Sequence, residues 1–312
     1  MHLCLTICTR RRPKMLQNLL DSLCALKSEP NLMFSIIVLE NDSSKNCQKL
    51  VGSYSDRLSI SYQQEPRAGL VFARNAAINA FLQTDADFMG FVDDDELLDS
   101  NWLCAFSSAI SAYGSDNAYW GILDYSENQS LPGWYPKLGN RKLPTGSKRN
   151  SGATNNIILP RRVVSAEGMN LRFDQRYNFT GGEDGNFFAR AMREGLKVLN
   201  VNEAIIHTQP NPERLQFGYI FKRLIRVTQF MGHEKRIRYG YLGGIGYRLL
   251  YVYGCLIRTV LFMLKGLVLL PFREKVALES IGHGFSNIAR MLGALKSFFG
   301  LPGETYRETD GH

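Results

Sequence analysis

Over the first two hundred residues, apolar runs and polar breaks alternate at regular spacing. Leu3-Cys4-Leu5-Thr6-Ile7-Cys8 is a run of the kind that makes a strand buried on both faces, and Thr9-Arg10-Arg11-Arg12-Pro13 ends it. Pro13 suits the first turn of a helix, and Met15, Leu16, Leu19, Leu20 and Leu23 share one face, which predicts a helix over 14–26. A second buried strand is predicted over 34–39, directly followed by Glu40-Asn41-Asp42-Ser43-Ser44, and a short third over 58–62. A helix follows over 69–82, with Leu70, Ala73, Ala77, Ile78 and Phe81 inward, then a strand over 86–92 and a helix over 101–113. Later come strands at 157–159 and 198–206, and a helix at 186–194. Strands alternating with helices imply an α/β chain with a mostly parallel, doubly wound sheet, in which ligands bind outside the carboxyl ends of the strands. Three polar clusters, at 9–12, 40–43 and 93–96, all fall at such ends and should converge on one crevice.

The densest of these is Asp93-Asp94-Asp95-Glu96. Packed like charges are costly to bury, so the cluster is either a solvated turn or a site for a hard divalent cation, Mn²⁺ or Mg²⁺, bridging to phosphates. There is no GxGxxG and no GxxxxGK[ST], so dinucleotide and P-loop chemistry do not fit. Gly181-Gly182-Glu183-Asp184 precedes the later helix; its acids are either first-turn residues favoured by the helix dipole or functional groups. From Tyr119 to Pro160 the chain reads as a long irregular stretch, rich in aromatics such as Trp120, Trp134 and Tyr135 that would stack on a sugar. Asn155 or Asn156 stands where a transferred sugar would lie, and His207 ends the last strand.

Composition narrows the class. With 312 residues and 45% apolar content, the chain can form one large domain with an appendage, or two domains. Six cysteines without a CxxC pair point to reduced thiols. Met1 runs straight into an apolar strand with no signal-peptide pattern, so the first part is expected in the cytosol. The net charge of +8 arises wholly in residues 210–312, which hold 15 Lys/Arg against 7 Asp/Glu. Lys222, Arg223, Arg226, Lys235, Arg236 and Arg238 alternate with long aliphatics, which suits an anionic membrane surface and not a nucleic acid. Residues 249–272 are long and apolar enough to span a membrane, but Arg258 and Lys265, seven apart, fit an interfacial helix better. Leu278, Ile281, Phe285, Ile288, Leu292, Leu295 and Phe299 then form one apolar stripe, facing either the preceding helix or lipid.

The motif order, from Thr9-Arg10-Arg11-Arg12-Pro13 through Glu40-Asn41-Asp42-Ser43, Ala73-Arg74-Asn75 and Asp93-Asp94-Asp95 to Gly181-Gly182-Glu183-Asp184, resembles the inverting family 2 glycosyltransferases of GT-A fold over roughly residues 3–210. The resemblance implies a Rossmann-like, mostly parallel central sheet flanked by helices, with a nucleotide-sugar-binding half over 1–118 and an acceptor half over 119–210. Residues 211–312 would be a helical, membrane-associating appendage. It implies donor contacts from Thr9, Arg11, Glu40, Asp42, Arg74, Asp93 and Asp94, with Asn75 lining the nucleotide pocket and Glu40 standing where most members have Asp. It assigns Asp93, Asp95 and His207 to the metal, Asp184 to the catalytic base, and Glu183 to the acceptor or the orientation of the loop; Trp134 and Asn156 join the acceptor contacts on residue type alone. No Gln-x-x-Arg-Trp motif follows, which in this family implies addition of a single sugar. The expected activity is transfer from a nucleotide sugar, a UDP-sugar first, to a saccharide or lipid-linked saccharide in polysaccharide assembly, at the cytoplasmic face of the inner membrane. The alternatives are a non-catalytic membrane-associated sugar- or nucleotide-binding protein, and a sugar-1-phosphate nucleotidyltransferase, for which Thr9–Arg12 is a poor match to the required Gly-rich loop.

Overall fold

A computed structural model describes residues 1–124, 143–208 and 215–300. The first apolar run is β1 (His2–Thr9), and Pro13 opens α1 (Pro13–Cys24). The chain continues through β2 (Met33–Glu40), the short α2 (Gln48–Gly52), β3 (Ile60–Gln64) and α3 (Leu70–Leu82). After these come β4 (Phe88–Asp93), β5 (Glu96–Leu98), α4 (Trp102–Tyr113), β6 (Ala118–Asp124), β7 (Lys148–Arg149) and β8 (Ile157–Pro160). The last elements are α5 (Glu183–Arg193), β9 (Val198–Thr208), α6 (Phe217–Leu269) and α7 (Glu274–Lys296).

The strands form one sheet in the order β3-β2-β1-β4-β8-β6-β9-β5, with β7 on β9. β1 to β4 are mutually parallel where they pair, whereas β8 pairs antiparallel with both β4 and β6, and β5 and β7 pair antiparallel with β9. The sheet is therefore mixed but mostly parallel, as expected, because β6 and β9 also pair parallel in its second half. Alternation along β1 sends Leu3, Leu5 and Ile7 to a core with α1 and Trp102, and Cys4 to a second core with α3, Phe173 and Phe187. The stretch expected to be irregular from Tyr119 begins instead as β6, where Trp120 is buried and donates to Asn155 O at 2.9 Å. A run such as Trp120-Gly121-Ile122 carries no alternation, and burial on both faces makes it a strand. Trp134 lies outside the described residues.

The backbone of α6 breaks at Gly240, at φ 73° and ψ −178°. Residues eight apart in a straight helix lie about 12 Å apart, yet a Cβ on Gly244 would come 2.7 Å from the Arg236 Cα, so the chain doubles back into two antiparallel arms. α7 returns along both arms: Gly284 lies against Met263, Gly266 against Ile281, and Gly293 against Ile225 and Thr228. Arg248 is sealed between the arms, donating to Gly244 O and Ser297 O beneath the Phe298 ring. The packing is inverted relative to a water-soluble bundle. Ala277, Ser280, Gly284, Ala289 and Gly293 face inward, whereas Leu278, Phe285, Leu292 and Leu295 of the stripe are exposed, as are Leu250 (74%) and Phe272 (81%). Small residues let helix backbones approach closely.

Candidate active site

The register sets the site. Thr9 pairs with Glu40 and Cys8 with Asp93, so the ends of β2, β1 and β4 stand side by side at the mouth of a cleft of about 300 Å³. Thr9, Arg10, Arg12, Asn41, Arg74, Asp93, Asp94 and Asp95 line it from the first half of the chain, and Asn178, Gly181, Gly182 and Glu183 from the second.

The acidic turn after β4 is built from within. Asp94 accepts from the Thr9 hydroxyl at 2.7 Å and from Arg12 Nη1 at 3.1 Å, which ties β4 to the loop after β1. Glu96 turns inward on β5 and accepts from the Asp93 N–H at 2.9 Å. Burial pushes the Asp93 carboxyl up to about 7 despite the pull of Arg74, and Asp95, Asp184 and Asp94 push it the same way. Four carboxylates, Asp93, Asp94, Asp95 and Glu183, line the cleft against the guanidinium groups of Arg10, Arg12 and Arg74, so negative charge is in excess. That imbalance and the hard oxygen donors of Asp93 and Asp95 fit a divalent cation that also binds phosphate oxygens.

Opposite this turn, α5 starts three residues earlier than its apolar pattern predicts, so Glu183 and Asp184 form its first turn. Arg74, on α3 and only 6% exposed, reaches across the cleft to both acids, with Nη1 2.7 Å from Glu183 Oε1 and 2.5 Å from Asp184 Oδ1. Asp184 also accepts from the Thr154 hydroxyl at 3.0 Å and the Thr154 N–H at 3.2 Å. Its side chain stays 25% exposed, against 12% for Glu183. Burial, followed by the nearby Asp184 charge, raises the Glu183 carboxyl above its ordinary value, and Arg74 only partly offsets this. Burial opposes the Arg74 charge too, but Asp184, Glu183 and Asp93 outweigh it and hold the guanidinium protonated.

Several expected contacts are placed elsewhere. Glu40 is sealed and spent: Oε1 accepts from Asn46 N–H, and Oε2 from Cys47 N–H and the Tyr62 hydroxyl. Asp42 is likewise held by Ser44 and by Arg11, with Nε 2.5 Å from Oδ2, and the Ser44 bonds first, then Arg11, keep its carboxyl well below the usual range. These two acids shape the loop, and the residue between them, Asn41, faces the cleft. Arg11 sits at φ 56° and turns outward to Asp42, so of the three consecutive arginines it is Arg10 and Arg12 that line the cleft. Asn75 spends its amide on the Phe173 backbone. His207 pairs with Leu97 in the sheet and lies 3.8 Å from Asp124; among the described residues no three His, Cys, Asp or Glu groups form a ready metal cluster, so Asp93, Asp95 and His207 do not constitute one.

Asn156 is corrected outright. It is fully buried at φ 53°, donating to Ile122 O and Ala204 O and accepting from the Trp102 indole at 2.8 Å, and so joins β6, β9 and α4 with no edge toward an acceptor. Stranding buried polar groups costs about 1–3 kcal/mol each. Asn156→Ala is therefore expected to destabilise the protein by about 3 kcal/mol in a urea melt, with the donor KM unchanged. Thr154 and Asn178 were missed by sequence reasoning. Thr154 holds Asp184, and Asn178 accepts from the Val71 N–H where only a glycine at position 69 leaves room for it.

A parallel β3-β2-β1-β4 half, an acidic turn at the end of β4 and a facing Glu-Asp pair define a transferase of the GT-A fold. The chain belongs to glycosyl transferase family 2, whose profile matches residues 4–167. It is similar to the succinoglycan biosynthesis protein ExoM of Rhizobium meliloti (strain 1021), 28% identical over 239 residues that cover 74% of each chain. It is also similar to an uncharacterized glycosyltransferase, R363, of Acanthamoeba polyphaga mimivirus, 30% identical over 95 residues covering 30% of this chain and 37% of that one. Among solved structures, S. aureus TarS aligns with a TM-score of 0.53 at 13% identity, over 95% of this chain and 55% of TarS. TarS 1–349 in complex with UDP-GlcNAc aligns at 0.52 and 13% identity, over 99% and 98%. At such identities the likeness is one of fold.

Proposed function

We propose that this chain is an inverting, metal-dependent glycosyltransferase that moves one sugar from a UDP-sugar to a lipid-linked saccharide during polysaccharide assembly. The observation that carries the reading is the meeting, across one cleft, of the acidic turn 93–95 and Glu183, with Asp184 beside it on the same Arg74 guanidinium. The names of the relatives favour it: ExoM is a succinoglycan biosynthesis protein, and TarS was solved with UDP-GlcNAc.

Asp93 and Asp95 would hold Mn²⁺ or Mg²⁺, which when bound neutralises the charge of the diphosphate leaving group. Arg10 and Arg12 offer guanidinium groups to the same phosphates from the cleft wall. Asp184 takes the proton of the acceptor hydroxyl as that oxygen bonds to the anomeric carbon and the bond to the diphosphate oxygen breaks, which inverts the centre. Glu183 orients the loop or the acceptor, and Thr154 and Arg74 fix the Asp184 carboxylate. The exposed apolar faces of α6 and α7, beside the basic residues of the first arm, suit a monotopic foot on an anionic cytoplasmic leaflet, where a lipid-linked acceptor would be presented.

The test is release of nucleotide diphosphate from a panel of UDP-, GDP- and dTDP-sugars, with Mn²⁺, Mg²⁺ or chelator, in the presence of membrane fractions. Wild type should release UDP only with metal and label a lipid-extractable product, and Asp95→Ala should do neither. Label confined to a water-soluble product would remove the lipid-linked acceptor, and absence of both metal-dependent nucleotide binding and release would overturn the catalytic reading.

A further inference from the structure

Gly181 and Gly182 both take left-handed backbone, at φ 75° and 91°, immediately before Glu183 and Asp184. Two glycines in series have the most backbone freedom to lose on ordering, so this loop does not hold its own shape. Its front is held by Arg74 and Thr154. Its back is held by α6, and both the loop and this helix lie beyond residues 4–167, the segment that the family profile matches.

The Phe230 ring occupies the space where the loop lacks side chains. A Cβ on Gly182 would overlap the ring, and one on Gly185 would come 2.7 Å from it; the ring also packs edge-on against Tyr177, at 5.7 Å and 82°. One turn further on the same face, Glu234 Oε1 accepts from the Tyr177 hydroxyl and from Asn186 Nδ2, both at 3.2 Å. Tyr177 precedes the loop and Asn186 follows it, so a single helix grips both flanks.

We infer that Phe230 and Glu234 are positioning residues that hold the Glu183–Asp184 loop in its working geometry, so that the basic, apolar C-terminal region completes the active site as well as reaching the membrane. The inference rests on the reading of Asp184 as the base. It also explains why glycine stands at both 182 and 185: a side chain at either position would displace the Phe230 ring.

The experiment compares full-length wild type with Phe230→Ala, Phe230→Leu, Glu234→Ala and Glu234→Gln by steady-state kinetics and by amide hydrogen exchange. A misplacement of about 1 Å can cost up to about 100-fold in rate, so Phe230→Ala and Glu234→Ala should each lower kcat by about tenfold or more. The donor KM should stay constant, and the conservative Leu and Gln variants should recover most of the rate. Exchange in residues 179–186 should quicken in both alanine variants while β1 and β2 stay protected. The exchange measurement does not need turnover, so it tests the clamp even if wild type proves inactive, which would count against the catalytic reading alone. Wild-type exchange in the loop, or exchange quickened equally throughout the sheet, would overturn the positioning role. If Phe230→Ala fails to fold, Phe230→Leu and the Glu234 pair decide the matter by the same measurements.

Discussion

Asp184→Asn should lower sugar transfer by about 10²–10⁴-fold, the usual worth of a general base, while metal-dependent donor binding persists. The substitution nearly preserves shape: Asn Oδ1 can still accept from Arg74 Nη1 and the Thr154 hydroxyl, and only the 3.2 Å bond from the Thr154 N–H is lost. An amide cannot take up the acceptor proton, so the loss should fall on kcat and leave donor KM untouched. Single-turnover transfer together with calorimetric titration of the nucleotide separates the two. A variant that turns over at the wild-type rate would move the base elsewhere, and Glu183, its neighbour in sequence and a residue of the cleft wall, would be the first candidate.

The second large effect is on stability. Arg74→Ala should destabilise the fold by about 3–5 kcal/mol, the cost of leaving a buried charge without its partner. Arg74 is nearly sealed, packs over the Phe173 ring at 5.5 Å, and is the cation shared by Glu183 and Asp184. Arg74→Lys should recover only part of this, because an ammonium lacks the planar guanidinium that packs on Phe173 while meeting both acids. The pH dependence has a definite sign. The Glu183 pKa is already raised by burial and by Asp184, and loss of Arg74 raises it further. Between its unfolded and folded pKa values the native state then binds more protons than the unfolded chain, so stability falls as pH rises through that window. The urea midpoint of Arg74→Ala should therefore lie further below wild type at pH 8 than at pH 5. A deficit independent of pH would mean that packing, not charge, supplies the loss.

The parallel half of the sheet and the helices beside it were legible because periodicity is local: Leu3, Leu5 and Ile7, or Leu16, Leu19, Leu20 and Leu23, report their own burial. The placement of acids at the end of β4 followed from the same pattern, and the family resemblance added the pairing of Asp93–Asp95 with Asp184. What misled was residue type without direction. Asn156, a polar residue ahead of a strand, reads like a ligand contact until the carbonyls of Ile122 and Ala204 are found against it. Among three consecutive arginines, only the left-handed φ of Arg11 decides that Arg10 and Arg12 face the cleft. The C-terminal stripe was visible as a stripe, but its outward orientation was not, because close approach of backbones at Gly266, Gly284 and Gly293 is a property of pairs of helices.

By itself, then, the sequence determined the strand–helix alternation, the location of the acidic turn and the separation of a basic, apolar C-terminal third, all set by neighbours along the chain. Only the tertiary structure decided which carboxylates are sealed and which keep an exposed edge. Glu40 is consumed by amides six and seven residues away and by Tyr62, whereas Asp184 is aimed by Arg74, 110 residues distant. Whether a charged group builds the fold or works in the cleft depends on partners that folding alone brings within hydrogen-bonding distance.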